Sequence, residues 1–132
     1  VIKQRTFPIT IEKGIVQGTC IANNKTFSFE MVPGGDIYMN YADATRFLKE
    51  MIITVNDFEE KAAAINAEDG SIIENAVLYL NDMKFGDDYA ENVKVIVKKG
   101  LTAPFLIGEE FITNEFGTYK VDKAQKLIIF DK

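Results

Sequence analysis

The chain has 132 residues, a formal net charge of −5, one cysteine and no histidine. Without histidine, Ser-His and Cys-His nucleophile pairs and histidine metal sites are excluded, whereas carboxylate chemistry stays possible. One cysteine cannot form an intrachain disulfide. The acidic charge, without a cluster of lysine or arginine, argues against nucleic-acid binding, and no apolar run is long enough for a membrane span. We expect one domain over residues 1–132, with no metal or other cofactor.

The first third of the chain predicts short strands separated by tight turns. Three runs alternate apolar and polar residues with the period of a β-strand. These runs are Phe7–Ile11, Ile15–Ala22 and Phe27–Met31. Lys13-Gly14 and Asn23-Asn24-Lys25 predict the turns between them. The segment Val32-Pro33-Gly34-Gly35 then breaks the pattern before a short apolar strand at Ile37–Met39.

The clearest helix is predicted near Ala42–Glu50. Apolar residues at i, i+3, i+4 and i+7 form the face that we expect to be buried. These residues are Ala44, Phe47, Leu48 and Met51. Asn40 is the predicted N-cap, with Asp43 in the first turn. A weaker helical stretch runs from Asp57 to about Ile65.

The remainder of the chain again predicts mostly strands. Glu68-Asp69-Gly70 is a hairpin turn signal between Ala64-Ile65 and Ile72-Ile73. Further strands are predicted at Ala76–Leu80, Val93–Val97, Phe105–Ile107, Thr118–Val121 and Lys126–Phe130. A short helix is predicted at Gly108–Asn114. Many short strands with one or two helices are typical of a mainly β domain, either a barrel or a sandwich.

Three parts of the chain, in this order and at this spacing, resemble the bacterial retropepsin-like aspartic proteases. They are Lys25–Met31 with Asp36–Asn40, then Asp69–Val77, then Ala103–Ile112 with Phe116–Asp122 and Leu127–Ile129. They are similar to the family's motif strand and following helix, to its flap hairpin, and to its Leu-Leu-Gly strand, helix and closing hairpin. The resemblance implies a mainly β, retropepsin-like barrel with one or two short helices.

The chain departs from the family at the catalytic Asp-Thr-Gly motif. The degenerate segment is Val32, Pro33, Gly34, Gly35 and Asp36. If Gly34 matches the motif glycine, Val32 stands where the aspartate belongs, and a register shifted by one residue puts Met31 there instead. Neither register supplies a carboxylate, and the resemblance puts Asp36 beyond the motif.

This departure decides the expected chemistry. In the family, two copies of the chain each contribute one aspartate, and the pair shares a proton and activates a water. A dimer with Val32 at both positions has no such pair, so we expect a catalytically inactive domain. Binding of an extended peptide or a protein partner by strand addition needs no catalytic aspartate. The resemblance implies that the peptide-binding flap is Glu68, Asp69, Gly70 and Ser71, although a plain surface turn is the simpler reading.

Two other functions stay open. In one, the chain is an active or weakly active aspartic endopeptidase that uses Asp36 in a rearranged loop. In the other, it is a structural domain of a secreted or envelope protein.

We also expect Cys20 to lie in the core, and a homodimer whose contact uses the strand edge at Leu127–Phe130. The charge pairs Glu59-Glu60, Asp87-Asp88 and Glu109-Glu110 are expected on the surface.

Overall fold

The computed structural model describes residues 5–131 of the protein. Its strands are β1 (Thr6–Pro8), β2 (Thr10–Glu12), β3 (Ile15–Ala22), β4 (Lys25–Val32), β5 (Ile37–Asn40), β6 (Val77–Phe85), β7 (Asp88–Lys98), β8 (Phe105–Gly108), β9 (Tyr119–Asp122) and β10 (Leu127–Phe130). Its helices are α1 (Tyr41–Lys49), α2 (Lys61–Ala64) and α3 (Glu109–Phe116), with a 3-10 turn at Val55–Asp57.

Six strands close into a mixed barrel in the order β3-β4-β8-β5-β7-β6. The barrel closes because Ile21 and Ala22 of β3 also pair with Lys84 and Met83 of β6. The β4–β8 and β5–β7 pairs are parallel, and the remaining neighbours are antiparallel. Strand β2 extends the barrel sheet beside β3, and β1, β10 and β9 form a separate three-stranded sheet. The predicted mainly β barrel is therefore confirmed, with three short α-helices in the described part of the chain.

Phenylalanine rings join the barrel to the three-stranded sheet. The ring of Phe85 lies 5.7 Å from Phe29 inside the barrel and 5.4 Å from Phe116 on α3, and Phe116 lies 6.4 Å from Phe130 on β10. All these pairs meet edge to face, the arrangement that the ring quadrupole favours. All four residues belong to one buried apolar cluster, so α3 is fixed between the two sheets.

Helix α1 matches its prediction except at its end. Asn40 occupies the N-cap, but its side chain contacts the Asp43 carboxylate at 3.1 Å and accepts the Leu101 N–H at 3.3 Å, without bonding to the helix backbone. Met51 was predicted on the buried face, and this is wrong. It lies beyond the last helical residue with φ of 60° and is 77% exposed, because the chain turns left-handed there.

The β6–β7 hairpin is longer than the sequence pattern indicated. The prediction ended one strand at Leu80 and began the next at Val93, whereas the strands run to Phe85 and from Asp88. The buried positions change phase where the added part begins, because two residues, Asn81 and Asp82, separate buried Leu80 from buried Met83, and this interrupts the alternation. Conversely, the weak helix predicted from Asp57 to Ile65 shrinks to α2, a single turn.

The expectation that Leu127–Phe130 forms an exposed strand edge is wrong. Strand β10 lies between β1 and β9, so both of its edges are paired. Ile128 is 2% exposed and Phe130 is 3% exposed. The guanidinium of Arg5 lies 4.8 Å from the centre of the Phe130 ring and forms a 2.9 Å ion pair with Asp88. The N-terminal residues Val1 and Ile2 lie outside the described residues.

We predict that Ile128→Lys unfolds the protein and does not merely split a dimer. Its buried position loses the packing of an isoleucine and gains an unpaired charge, so the free energy of unfolding should fall by at least about 2 kcal/mol. Ile15→Lys is the matched control, because Ile15 is also in a strand but is 40% exposed. Urea unfolding checks this, and equal losses in the two variants would contradict the burial assignment.

Candidate functional site

The loop at residues 32–36 is held by β8 and the start of α3. Val32 is the last residue of β4 and pairs with Gly108 in the parallel ladder. The Gly108 N–H donates to the Asp36 carbonyl oxygen at 2.9 Å. The Glu110 N–H donates to the Gly34 carbonyl oxygen, also at 2.9 Å. The backbone of the loop is thus fixed in its middle and at its end.

Gly108 has to be glycine because the loop backbone passes against it. A Cβ atom at this position would lie 2.2 Å from the Gly34 carbonyl oxygen and 2.9 Å from the Asp36 carbonyl oxygen. Neither atom belongs to a flexible side chain, so neither can move aside cheaply. Gly34 itself has φ of 112°, in the region that favours glycine. The contact therefore depends on two glycines, one from each segment.

The side chains of the loop place no carboxylate at its start. Val32 is half-buried, while the following four residues, including Asp36, are exposed. One carboxylate from elsewhere does approach. Glu110 Oε2 lies 3.5 Å from the position that a Cβ would have on Gly35. The sequence placed Glu110 on the surface, which is right, but gave no sign that it adjoins this loop.

The predicted hairpin is present and has a self-contained turn. Ile65 and Ile72 pair across it, and the Gly70 N–H donates to the Asn66 carbonyl oxygen at 2.8 Å. Asp69 Oδ1 accepts the Ser71 hydroxyl at 2.7 Å and the Ser71 N–H at 2.9 Å. These hydrogen bonds lower the pKa of Asp69. The predicted flap residues Glu68, Asp69, Gly70 and Ser71 form the tip, where Ser71 alone is partly covered.

Hydrogen bonds anchor this hairpin at the end of β5 that lies away from the 32–36 loop. The Tyr41 hydroxyl donates to the Ile72 carbonyl oxygen, and the Asn75 N–H donates to the Val97 carbonyl oxygen at 2.8 Å. Tyr41 follows the last residue of β5, whereas the loop precedes the first, and β5 has four residues. At about 3.3 Å per residue, this separates the two ends by roughly 13 Å. Within residues 5–131, no hydrogen bond joins hairpin and loop.

Four half-buried side chains form a row on the outer face of the barrel. Glu30 of β4 lies opposite Leu106 of β8, Leu106 opposite Tyr38 of β5, and Tyr38 opposite Ile96 of β7. The strand neighbours of these residues point into the core, so the row faces outward. Glu30 precedes Val32 by two residues and shares its face of β4. We call these four residues the outer row.

Sequence reasoning assigned no role to the outer row. Alternation along β4 was a sufficient signal to put Glu30 on the outer face, because Phe29 and Met31 on either side of it are apolar. No comparable signal could show that Leu106 and Tyr38 come beside it. Leu106 and Tyr38 lie next to Glu30 because of the order of strands in the barrel, and a local sequence pattern does not encode that order.

Cys20 is buried, and the described residues contain no cluster of metal ligands. The Cys20 side chain is 2% exposed, as predicted, and burial raises the pKa of its thiol to about 12, which disfavours the thiolate. Across residues 5–131, no group of three or more acidic or cysteine side chains is placed to hold a metal ion. In the same range, no helix has the length and apolarity to cross a membrane.

Comparison with known proteins identifies the fold. No protein-family model and no curated protein sequence matches the chain. Among solved structures, it is similar to a retropepsin-like aspartic protease from Rickettsia conorii, with a TM-score of 0.62 and 19% identity over 98% of this chain and 95% of that chain. It is also similar to the retroviral protease-like domain of Ddi1 from Leishmania major, with a TM-score of 0.49 and 10% identity over 94% and 91%. The Rickettsia structure shows that this chain has the retropepsin-like fold.

We predict that Gly108→Ala is strongly destabilising whereas Gly35→Ala is tolerated. The first places a methyl group 2.2 Å from a backbone oxygen, which forces the loop away from β8. Overpacking of this kind costs about 1–3 kcal/mol or more. At Gly35 the nearest atom would be 3.5 Å away, an ordinary contact. Thermal unfolding of both variants checks this, and a Gly108→Ala protein as stable as Gly35→Ala would mean that the loop is not held in this way.

Proposed function

We propose that this chain is a catalytically inactive domain of retropepsin-like fold that binds an extended peptide or a segment of a protein partner. The observation that supports this best is the loop at residues 32–36. Its backbone is fixed against Gly108, as a structured site requires, yet the side chain at its start is that of Val32.

The chemistry of a peptide-cleaving carboxylate pair has no counterpart at this position. Such a pair must hold a water, take its proton and donate one to the substrate carbonyl. Valine can do none of these. The shifted register offers Met31, which is 8% exposed and does not ionise either. Asp36 is exposed, and moving it to the start of the loop would break the hydrogen bond from the Gly108 N–H.

Two carboxylates near the loop favour one alternative, a weak aspartic endopeptidase. Asp36 lies in the loop and Glu110 lies against Gly35. These groups come from different segments and both are exposed. If they acted together in one chain, activity would require both of them.

We predict no pepstatin-sensitive cleavage of an unfolded protein substrate between about pH 3 and about pH 7, because neither Val32 nor Met31 can ionise. The measurement compares the unmodified chain with Asp36→Asn, Glu110→Gln and a restored loop. The restored loop has Val32→Asp and Pro33→Thr, so that residues 32–34 read Asp-Thr-Gly. Cleavage by the unmodified chain that disappears in Asp36→Asn or Glu110→Gln would establish the endopeptidase instead.

We also propose a homodimer, and the observed sheet changes where its contact should be sought. Strand β9 is at the edge of the three-stranded sheet, whereas β10 is in its centre. The other edge strand, β1, ends in Pro8, which has no N–H to offer. An edge that pairs with its own copy across a two-fold axis gives a closed assembly, which is the commonest kind of dimer.

Hydrogen bonding shows which backbone groups of β9 face away from β10. The Phe130 N–H donates to the carbonyl oxygen of Arg5, which directly precedes β1, so alternate residues of β10 bond on the β1 side and the others to β9. The Asp131 N–H, accordingly, donates to Thr118. In β9, therefore, Lys120 bonds to β10, while the backbone groups of Tyr119 and Val121 point outward.

We predict that Val121→Pro converts the dimer into a folded monomer. Proline at this position removes an outward N–H and keeps the bonds between β9 and β10, whereas Lys120→Pro removes an inward one and should destabilise the fold. Sedimentation at micromolar concentration measures the mass of the species in solution, and one chain has a mass of 14.8 kDa. An unmodified chain of that mass would exclude the dimer, and a Val121→Pro protein that stays dimeric would place the interface elsewhere.

A further inference from the structure

Two adjoining cavities lie on the outer face of β3 and β4, on the side of β4 that carries Glu30. The smaller, of about 180 Å³, is lined by Glu30, Thr102 and Pro104, together with Gln17 and Ser28. The larger, of about 330 Å³, shares Gln17 and Ser28 and continues toward Pro8 and Thr10. Together they form a groove, which we call the β3–β4 groove. Its smaller end lies beside the outer row and two residues from Val32 along β4.

The Glu30 carboxylate is held in the wall of the smaller cavity by neutral groups. The Thr102 hydroxyl donates to Oε1, and the Gln17 side-chain amide lies 3.3 Å from Oε2. No lysine or arginine within residues 5–131 forms an ion pair with Glu30. An ionised carboxylate can accept about four hydrogen bonds, so roughly two positions remain open. Among the described residues, Glu30 is thus a half-buried carboxyl group that two neutral neighbours orient and that no lysine or arginine pairs.

Such an arrangement favours a cation in the cavity. A carboxylate that is partly removed from water attracts an opposite charge more strongly than an exposed one, and charge-assisted hydrogen bonds are about twice as strong as neutral ones. The cavity has space for one long side chain but not for a larger ligand. The adjoining larger cavity, mostly apolar in its lining, can take the residues next to it in an extended chain.

We propose that the β3–β4 groove binds an extended peptide and that the Glu30 pocket takes a lysine or arginine side chain of that peptide. This inference rests on the proposed peptide-binding function and adds the ligand's chemistry to it. Thr102 and Gln17 act as positioning residues, because they orient the carboxylate toward the cavity.

The test is selection of peptides from a random library by the unmodified chain, by Glu30→Gln and by Glu30→Lys. Glu91→Gln is the matched control, since Glu91 is an exposed acid on a different strand and its loss changes the net charge equally. The unmodified chain and Glu91→Gln should select peptides with lysine or arginine at one fixed position. Glu30→Gln should bind those peptides at least about tenfold more weakly, and Glu30→Lys should select acidic residues at that position. Circular dichroism confirms that each variant is folded.

The outcomes separate this inference from the proposed function. If the unmodified chain selects peptides without a basic position, or if Glu30→Gln binds the basic peptides as tightly as Glu91→Gln does, the Glu30 pocket is not the determinant, although peptide binding stands. If none of the folded proteins selects any peptide, both the proposed function and this inference are wrong.

Discussion

The backbone approach of Gly108 to Gly34 is the constraint on which the rest of the site depends. It lets β8 pass directly beneath the loop, so that β8 can pair with β4 on one side and with β5 on the other. It also fixes where α3 begins and brings the Glu110 N–H to the Gly34 carbonyl oxygen. Any side chain on Gly108 would push these elements apart. The backbone geometry of the loop therefore does not depend on the side chain at its start, Val32.

The proposed binding function rests on how the carboxylates around this loop are arranged. Hydrolysis by carboxylates needs two of them close together, sharing a proton about one water. Here Asp36 and Glu110 are exposed at the rim of the loop, and Glu30 lies on the outer face of β4 among neutral partners. A single oriented carboxylate can select a cationic side chain without any change in protonation. Cation recognition, as proposed for Glu30, and hydrolysis therefore need different arrangements of carboxylates.

The sequence predictions that the structure confirms depend on interactions between residues close together in the chain. The hairpin at Ile65–Ile72 was predicted from the pair Asp69-Gly70. The prediction is confirmed because Gly70 has φ of 74°, an angle that glycine adopts readily and few other residues do. Helix α1 was predicted to within one residue at each end from its apolar period and from Asn40. The errors came from what a local pattern cannot contain. Met51 fits the apolar period but turns left-handed, and the buried positions of β6 change phase at Asn81-Asp82, which interrupts the alternation.

The sequence by itself determined most of the buried faces and which side-chain groups are lacking. Alternation and helical period depend only on neighbours along the chain, and the lack of histidine and of a carboxylate from Met31 to Gly35 is a matter of composition. Only the tertiary structure decided that β10 lies inside its sheet and that Thr102 reaches Glu30. These contacts join residues far apart in the chain. Which distant segments meet is set by strand order and by packing such as Gly34 against Gly108, because many pairings bury the same apolar faces equally well.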